Sequence, residues 1–141
     1  MITNEHPFEH FGIGCNTSLG QEPRLGWRRL PLRGNSFDLT LRRAEPNGLA
    51  AFWLGVSDAQ WAGLALPYDA TPLGAPGCAL YVSADAPYFA PVDQGGNASL
   101  TLGVPLTPAL AGLELFSQSI CSTTGNAFGF AASGALAIRL R

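Results

Sequence analysis

The chain has 141 residues, Lys+Arg 8 against Asp+Glu 10, and only 13% charged residues, where a soluble domain averages about 25%. A formal charge of -2 gives no basic field for nucleic acid, and no apolar run approaches the roughly 18 residues of a membrane span. Every basic residue is arginine, which excludes Schiff-base and P-loop lysine chemistry, while Gly 17 and Pro 11 punctuate a 47% hydrophobic composition suited to one domain with its own core.

Residues 1–10 read as a polar N-terminal tail ahead of a domain spanning 11–141. The start has neither the basic nor the apolar region of a signal peptide, so a secreted protein would be seen here in its mature form. His6-Pro7-Phe8-Glu9-His10 fits the H-x-x-E-H pattern of inverted zinc peptidases. That chemistry needs both imidazoles on one helical face. The following Phe11-Gly12-Ile13-Gly14 is poor helix material, so the motif is assigned to the tail and no metal site is expected.

Beyond the tail, short apolar runs alternate with turn residues every eight to twelve positions, the pattern of an antiparallel sandwich of jelly-roll or immunoglobulin-like type with eight or nine short strands. Phe37, Leu39 and Leu41 alternate with Asp38, Thr40 and Arg42, which predicts a strand with one apolar and one wet face. Leu49 to Ser57 is apolar on both faces, as in a central strand. Trp61 to Leu66 extends until Pro67, and Ala79 to Ser83 forms another short strand bounded by Ala86-Pro87. Val92 to Leu102 reads as a hairpin. Asp93 accepts backbone amides there, and Gly95 or Gly96 supplies positive φ. Pro105 to Ala111 is a loop with one helical turn, Leu113 to Ile120 is a strand, and Ala127 to Leu140 closes as a hairpin around Ser133-Gly134.

Catalytic constellations are sparse. There is no Gly-x-Ser-x-Gly, and histidine occurs only in the tail, so no catalytic residue is assigned. Asp58, Asp69, Asp85 and Asp93 sit in turn contexts and serve as turn acceptors in preference to a calcium loop. The aromatics Trp27, Trp53, Trp61, Tyr68, Tyr81 and Tyr88 offer binding faces. Trp53 belongs to the core, whereas Trp27, beside Arg28-Arg29, and Tyr88, beside Pro87, are the candidates to face a ligand. Arg24, Arg28, Arg29, Arg33, Arg42 and Arg43 gather in the first third and read as a solvated polar face. Asn16-Thr17-Ser18 and Asn97-Ala98-Ser99 match the short glycosylation sequon. Cys15, Cys78 and Cys121 contain no Cys-x-x-Cys pair; one long-range disulfide plus an odd thiol implies an oxidising compartment.

The order of several landmarks adds a resemblance. They are Phe11-Gly12-Ile13-Gly14-Cys15, Leu54-Gly55-Val56-Ser57, Leu66-Pro67-Tyr68, Leu73 through Leu80, Asp93 through Leu102, Val104-Pro105, Ala109 through Leu113, Gln118, Asn126 and Ser133-Gly134-Ala135-Leu136. In these the chain resembles a secreted, Gly/Pro-rich β-sandwich domain of predicted extracellular proteins from planctomycete and myxobacterial lineages, often placed at their C-termini. The resemblance implies a non-catalytic accessory module and a bridge between Cys15 and Cys78. Cys121 departs from the family's pattern, as a buried free thiol or a link between chains. The expectation is therefore a non-enzymatic, secreted or cell-surface structural or adhesive module without cofactors, its partners copies of itself or a cell-surface polymer. The alternatives are a self-assembling subunit of a filament or surface layer, its N-terminal segment pairing along a neighbour's strand edge, and a carbohydrate-binding module using surface aromatics.

Overall fold

The computed structural model describes residues 7–141. Two antiparallel sheets face each other across the core. The larger has β1 (Phe8–Phe11), β12 (Phe130–Arg139), β11 (Glu114–Ser122), β4 (Leu49–Gly55) and β9 (Ala86–Pro91) side by side. The smaller runs β10 (Ala98–Gly103), β3 (Ser36–Arg42), β2 (Arg24–Arg28). Four two-residue strands, β5 (Gln60–Trp61), β6 (Leu64–Ala65), β7 (Tyr68–Asp69) and β8 (Ala79–Leu80), pair as two small hairpins within the excursion that links β4 to β9. Eight strands thus build the all-β sandwich.

The period-two pattern sends Leu39, Leu41, Phe52, Leu136 and Ile138 into the space between the sheets, where each is fully buried. β4 is apolar on both faces because both are covered: Ala50 and Phe52 point to the smaller sheet, and Trp53 lies under the excursion. Cys15 and Cys78 are joined by a disulfide, Cα–Cα 4.9 Å, as the resemblance implies. It fastens the excursion to the sheet, because the Cys15 amide donates to the Ala132 carbonyl and the Ala132 amide donates to the Cys15 sulfur.

Several local expectations are corrected. Residues 8–10, read as tail, are strand: β1 pairs with β12 from Phe8↔Ile138 to Phe11↔Ala135. Their apolar positions are too few to show a period in the sequence, and the pairing comes from the exposed edge of β12. This segment therefore caps its own sheet. The 92–102 turn has the expected chemistry, with the Asp93 carboxylate accepting the Gly95 and Asn97 amides and Gly96 at φ 79°, but it is no hairpin. β9 pairs with β4 and β10 with β3, so the turn crosses between sheets. Ser133-Gly134 is not a turn either. It is a bulge inside β12 opposite Ser119, where the register steps from Gln118↔Ala135 to Ile120↔Ala132. β9, which Pro87 and Pro91 hid as a break, is an edge strand, the position where a missing amide is tolerated.

The wet face expected of β3 is also covered in part. Asp38 and Thr40 are 8% and 7% exposed. Asp38 accepts the Arg29 guanidinium at 2.9 Å and the Thr101 hydroxyl at 2.7 Å, with Arg28 at 3.7 Å. The Thr101 hydrogen bond, opposed by burial and joined by the two guanidiniums, holds the Asp38 carboxyl below its ordinary value.

Three outcomes test this framework. Phe52→Ala is expected to cost about 3–5 kcal/mol in denaturant unfolding; a loss below about 1 kcal/mol contradicts its place at the centre of the core. A carboxyl whose folded value lies below its unfolded one stabilises fully above the unfolded value and loses that contribution as pH falls through the folded value. Asp38→Asn should therefore lower Tm at neutral pH and flatten the acid limb of Tm below about pH 4. An acid limb identical to wild type argues against the assignment. Cys15→Ser/Cys78→Ser opens a covalent loop with a sequence separation of 63 and should destabilise by roughly 4 kcal/mol on chain-entropy grounds, read by equilibrium unfolding.

Candidate functional site: an apolar pocket under the β4–β9 excursion

The outward row of the five-stranded sheet is set by register. Trp53 lies opposite Gln118, which lies opposite Ala135, and Ala51 opposite Ile120, which lies opposite Ala132. In an open sandwich this face meets water and carries polar residues. Here it is apolar, and residues 56–85 fold back over it.

The neck of that excursion is closed by short polar contacts. The Val56 amide and the Ser83 hydroxyl both donate to Asp85 Oδ2, at 3.0 and 2.7 Å, and the Ser57 amide donates to Ser83 Oγ at 3.1 Å. The Ser83 hydroxyl, then the Val56 amide, hold the Asp85 carboxyl below its ordinary value. Gly55 is required at this crossing, since a Cβ there would overlap the Ser83 carbonyl. Deeper in, Trp53 Nε1 donates to the Val82 carbonyl at 3.1 Å. Gln118, fully buried, accepts the Tyr81 amide through Oε1 at 2.8 Å, and its Nε2 donates to the carbonyls of Ala79 at 2.8 Å and Ser133 at 2.9 Å.

Between sheet and excursion lies a pocket of about 390 Å³, within the range of small-ligand sites. Its floor is Trp53, Ile120, Ala132 and Phe130 with the Gln118 side chain; its roof includes Trp61, Leu64, Tyr68, Leu73 and Leu80. Phe128 closes one side, edge-on to Phe130 at 5.9 Å. Leu64, Leu73 and Phe128 are 38%, 50% and 43% exposed, so the mouth is apolar as well. No carboxylate, imidazole, guanidinium or free thiol lines the cavity. Gln118, the one amide side chain in the wall, spends its donors and acceptor on the backbone. Such a wall can hold an uncharged apolar group by area burial and aromatic contact, with the Tyr68 phenol and the Trp61 indole as its further polar tips.

Of the aromatics singled out in the sequence, Trp53, Trp61 and Tyr68 converge here. Trp27 and Tyr88 do not. Trp27, on β2, stacks on Phe8 at 4.5 Å and 12°, with His10 at 5.5 Å. Tyr88, on β9, lies at the other edge of the sandwich, because β2 packs against β12 and β9 against β10. Gln118, Ile120, Phe128 and Phe130 were not read as site residues; β11 mixes Phe116 and Ile120 with Ser117, Gln118 and Ser119, so its sequence marks no apolar face.

Cys121 is fully buried and unbonded, and burial pushes its thiol up. Its burial leaves the sulfur no accessible surface in this chain. His10 is in a strand, so the H-x-x-E-H spacing has no helical face, and His6 lies outside the described residues. Asp69 accepts the Thr71 amide at 2.9 Å, a turn role like that of Asp93. Among the described residues no group of three His, Cys, Asp or Glu is placed to hold a metal, and no helix is long and apolar enough to cross a membrane.

No protein-family model and no curated protein matches the chain. Among solved structures it is similar to a Niemann-Pick type C2 protein from Japanese carpenter ant, at 10% identity over 95% of this chain and 98% of that one, with a TM-score of 0.38. A likeness at that level carries no argument about ligand or activity.

Proposed function

We propose that the protein is a non-catalytic extracellular binding module whose excursion-capped pocket takes a small, uncharged, apolar molecule. The observation that carries the reading is the wall itself: about 390 Å³ enclosed by aromatic and aliphatic side chains, with its one amide already satisfied. A charged ligand entering there would lose hydration without a counter-charge, whereas an apolar one gains about 25 cal/mol for each Å² it removes from water. The Cys15–Cys78 bridge supports an oxidising, extracellular setting. The structural or adhesive role expected from the sequence is narrowed in this reading to one of ligand capture.

The test is titration with the uncharged fluorophore N-phenyl-1-naphthylamine. Its emission should rise on binding, and Ala84→Leu with Ala79→Leu, which fill the pocket from its roof, should weaken binding by roughly tenfold or more at unchanged circular dichroism. Equal binding by the filled variant, or equal binding of a charged naphthalene sulfonate to wild type, overturns the proposal.

A further inference from the structure

The opposite outer face, that of the three-stranded sheet, is open and cationic. Arg24 on β2 lies directly opposite Arg42 on β3, and Arg28 opposite Asp38. All three arginines are exposed. Like charges directly opposite one another destabilise a sheet pair, and neither Arg24 nor Arg42 has an ion pair among the described residues. Two hollows adjoin this face and share Thr40 and Arg42, the first reaching round the sandwich edge to Ala90 and Pro91 of β9. One extends past Arg28 to Asn97 and Ser99, the other past Gly26 to Arg24. A Cβ on Gly26 would come within 3.1 Å of Thr40 Oγ1, so the glycine keeps the trough floor low over Thr40, which is itself 7% exposed. The nearby acids are engaged: Asp38 by Arg29, Arg28 and Thr101, and Asp93 Oδ1 by the Gly95 and Asn97 amides.

We propose that this trough binds an extended anionic polysaccharide, whose oxyanions lie between Arg24 and Arg42 and beside Arg28. Arg24 and Arg28 are four residues apart on one strand, about 13 Å at 3.3 Å per residue. A single small anion cannot span that distance, and a chain with repeated charges can. Ser99 and Asn97, exposed along the β10 side of the guanidiniums, suit a hydroxyl-rich carrier. The stacking platform that a single-stranded nucleic acid needs is missing, since the Trp27 ring is stacked on Phe8 at 4.5 Å. Carboxylate and sulfate groups share the chemistry that a guanidinium recognises.

The experiment is fluorescence anisotropy with labelled polygalacturonate, dextran sulfate, neutral dextran and an oligothymidylate, at low and raised salt. One or both acidic polysaccharides should bind in a salt-dependent manner, and the preferred one assigns carboxylate or sulfate. Arg24→Ser/Arg42→Ser should weaken that binding roughly tenfold or more while leaving Tm unchanged or raised, because the opposed charges are gone. Gly26→Val, which raises a branched side chain on the trough floor between Arg24 and Arg28, should weaken it too. Unchanged binding by the double variant, neutral dextran bound as well as the acidic chains, or tighter binding of the oligothymidylate each overturns the proposal. The apolar fluorophore reports on the other face, so failure here is distinct from failure of the pocket.

Discussion

Gln118 has no exposed surface, yet both its N–H donors and its carbonyl oxygen are engaged by backbone groups from two layers: Tyr81 and Ala79 in the excursion, Ser133 in the bulge of β12. A buried amide left without partners costs about 1–3 kcal/mol for each group stranded. The excursion is therefore held down at this point by the penalty for lifting it as much as by apolar area. The bulge takes part, since the two-residue step at Ser133-Gly134 presents the Ser133 carbonyl to Gln118 and the Ser133 hydroxyl to the Ser119 amide at 3.0 Å. Trp53 Nε1 and the Cys15–Cys78 bridge secure the same layer on either side.

From that attachment the molecule acquires two unlike outer faces. One side of the sandwich is roofed and apolar, with the Trp53 indole and the Gln118 amide bonded to backbone. The other is open, with guanidiniums above small hydroxyl residues. The low charge content of the chain, 13%, is thus unevenly spent: the pocket wall has no charged side chain, while Arg24, Arg28 and Arg42 share one sheet face. In a chain of formal charge -2 the character of each face comes from placement and not from net charge.

Much of the sandwich was legible because period-two alternation is local. β3 follows directly from it, β4 from a run that is apolar on both faces, and the 3-10 turn at Pro108–Leu110 and the acceptor role of Asp93 from local turn chemistry. What was not legible depends on partners distant in the chain. A turn such as 92–97 looks the same whether its strands pair with each other or with separate sheets. Pro87 and Pro91 break a central strand but not an edge, and edge status is a tertiary property. Ser133-Gly134 resembles a turn until Ser119 is seen opposite it. The pocket was half visible. Trp53, Trp61 and Tyr68 were marked as aromatics, but Trp53 was read as ordinary core, and the two-sided apolar character of β4 did not disclose that one cover is a thirty-residue excursion instead of a second sheet. The Arg cluster was legible as a polar face; the direct opposition of Arg24 and Arg42 required the register.

The claim on which the rest stands, that Gln118 clamps the excursion to the sheet, is tested most directly by amide hydrogen exchange at Tyr81, whose N–H donates to Gln118 Oε1 at 2.8 Å. In the wild-type protein this amide should exchange as slowly as those of the central strands β4 and β11, and in Gln118→Leu it should exchange at the rate of an exposed loop while the two strands stay protected. A Tyr81 amide that exchanges fast in wild type, or is equally protected in the variant, would contradict the account.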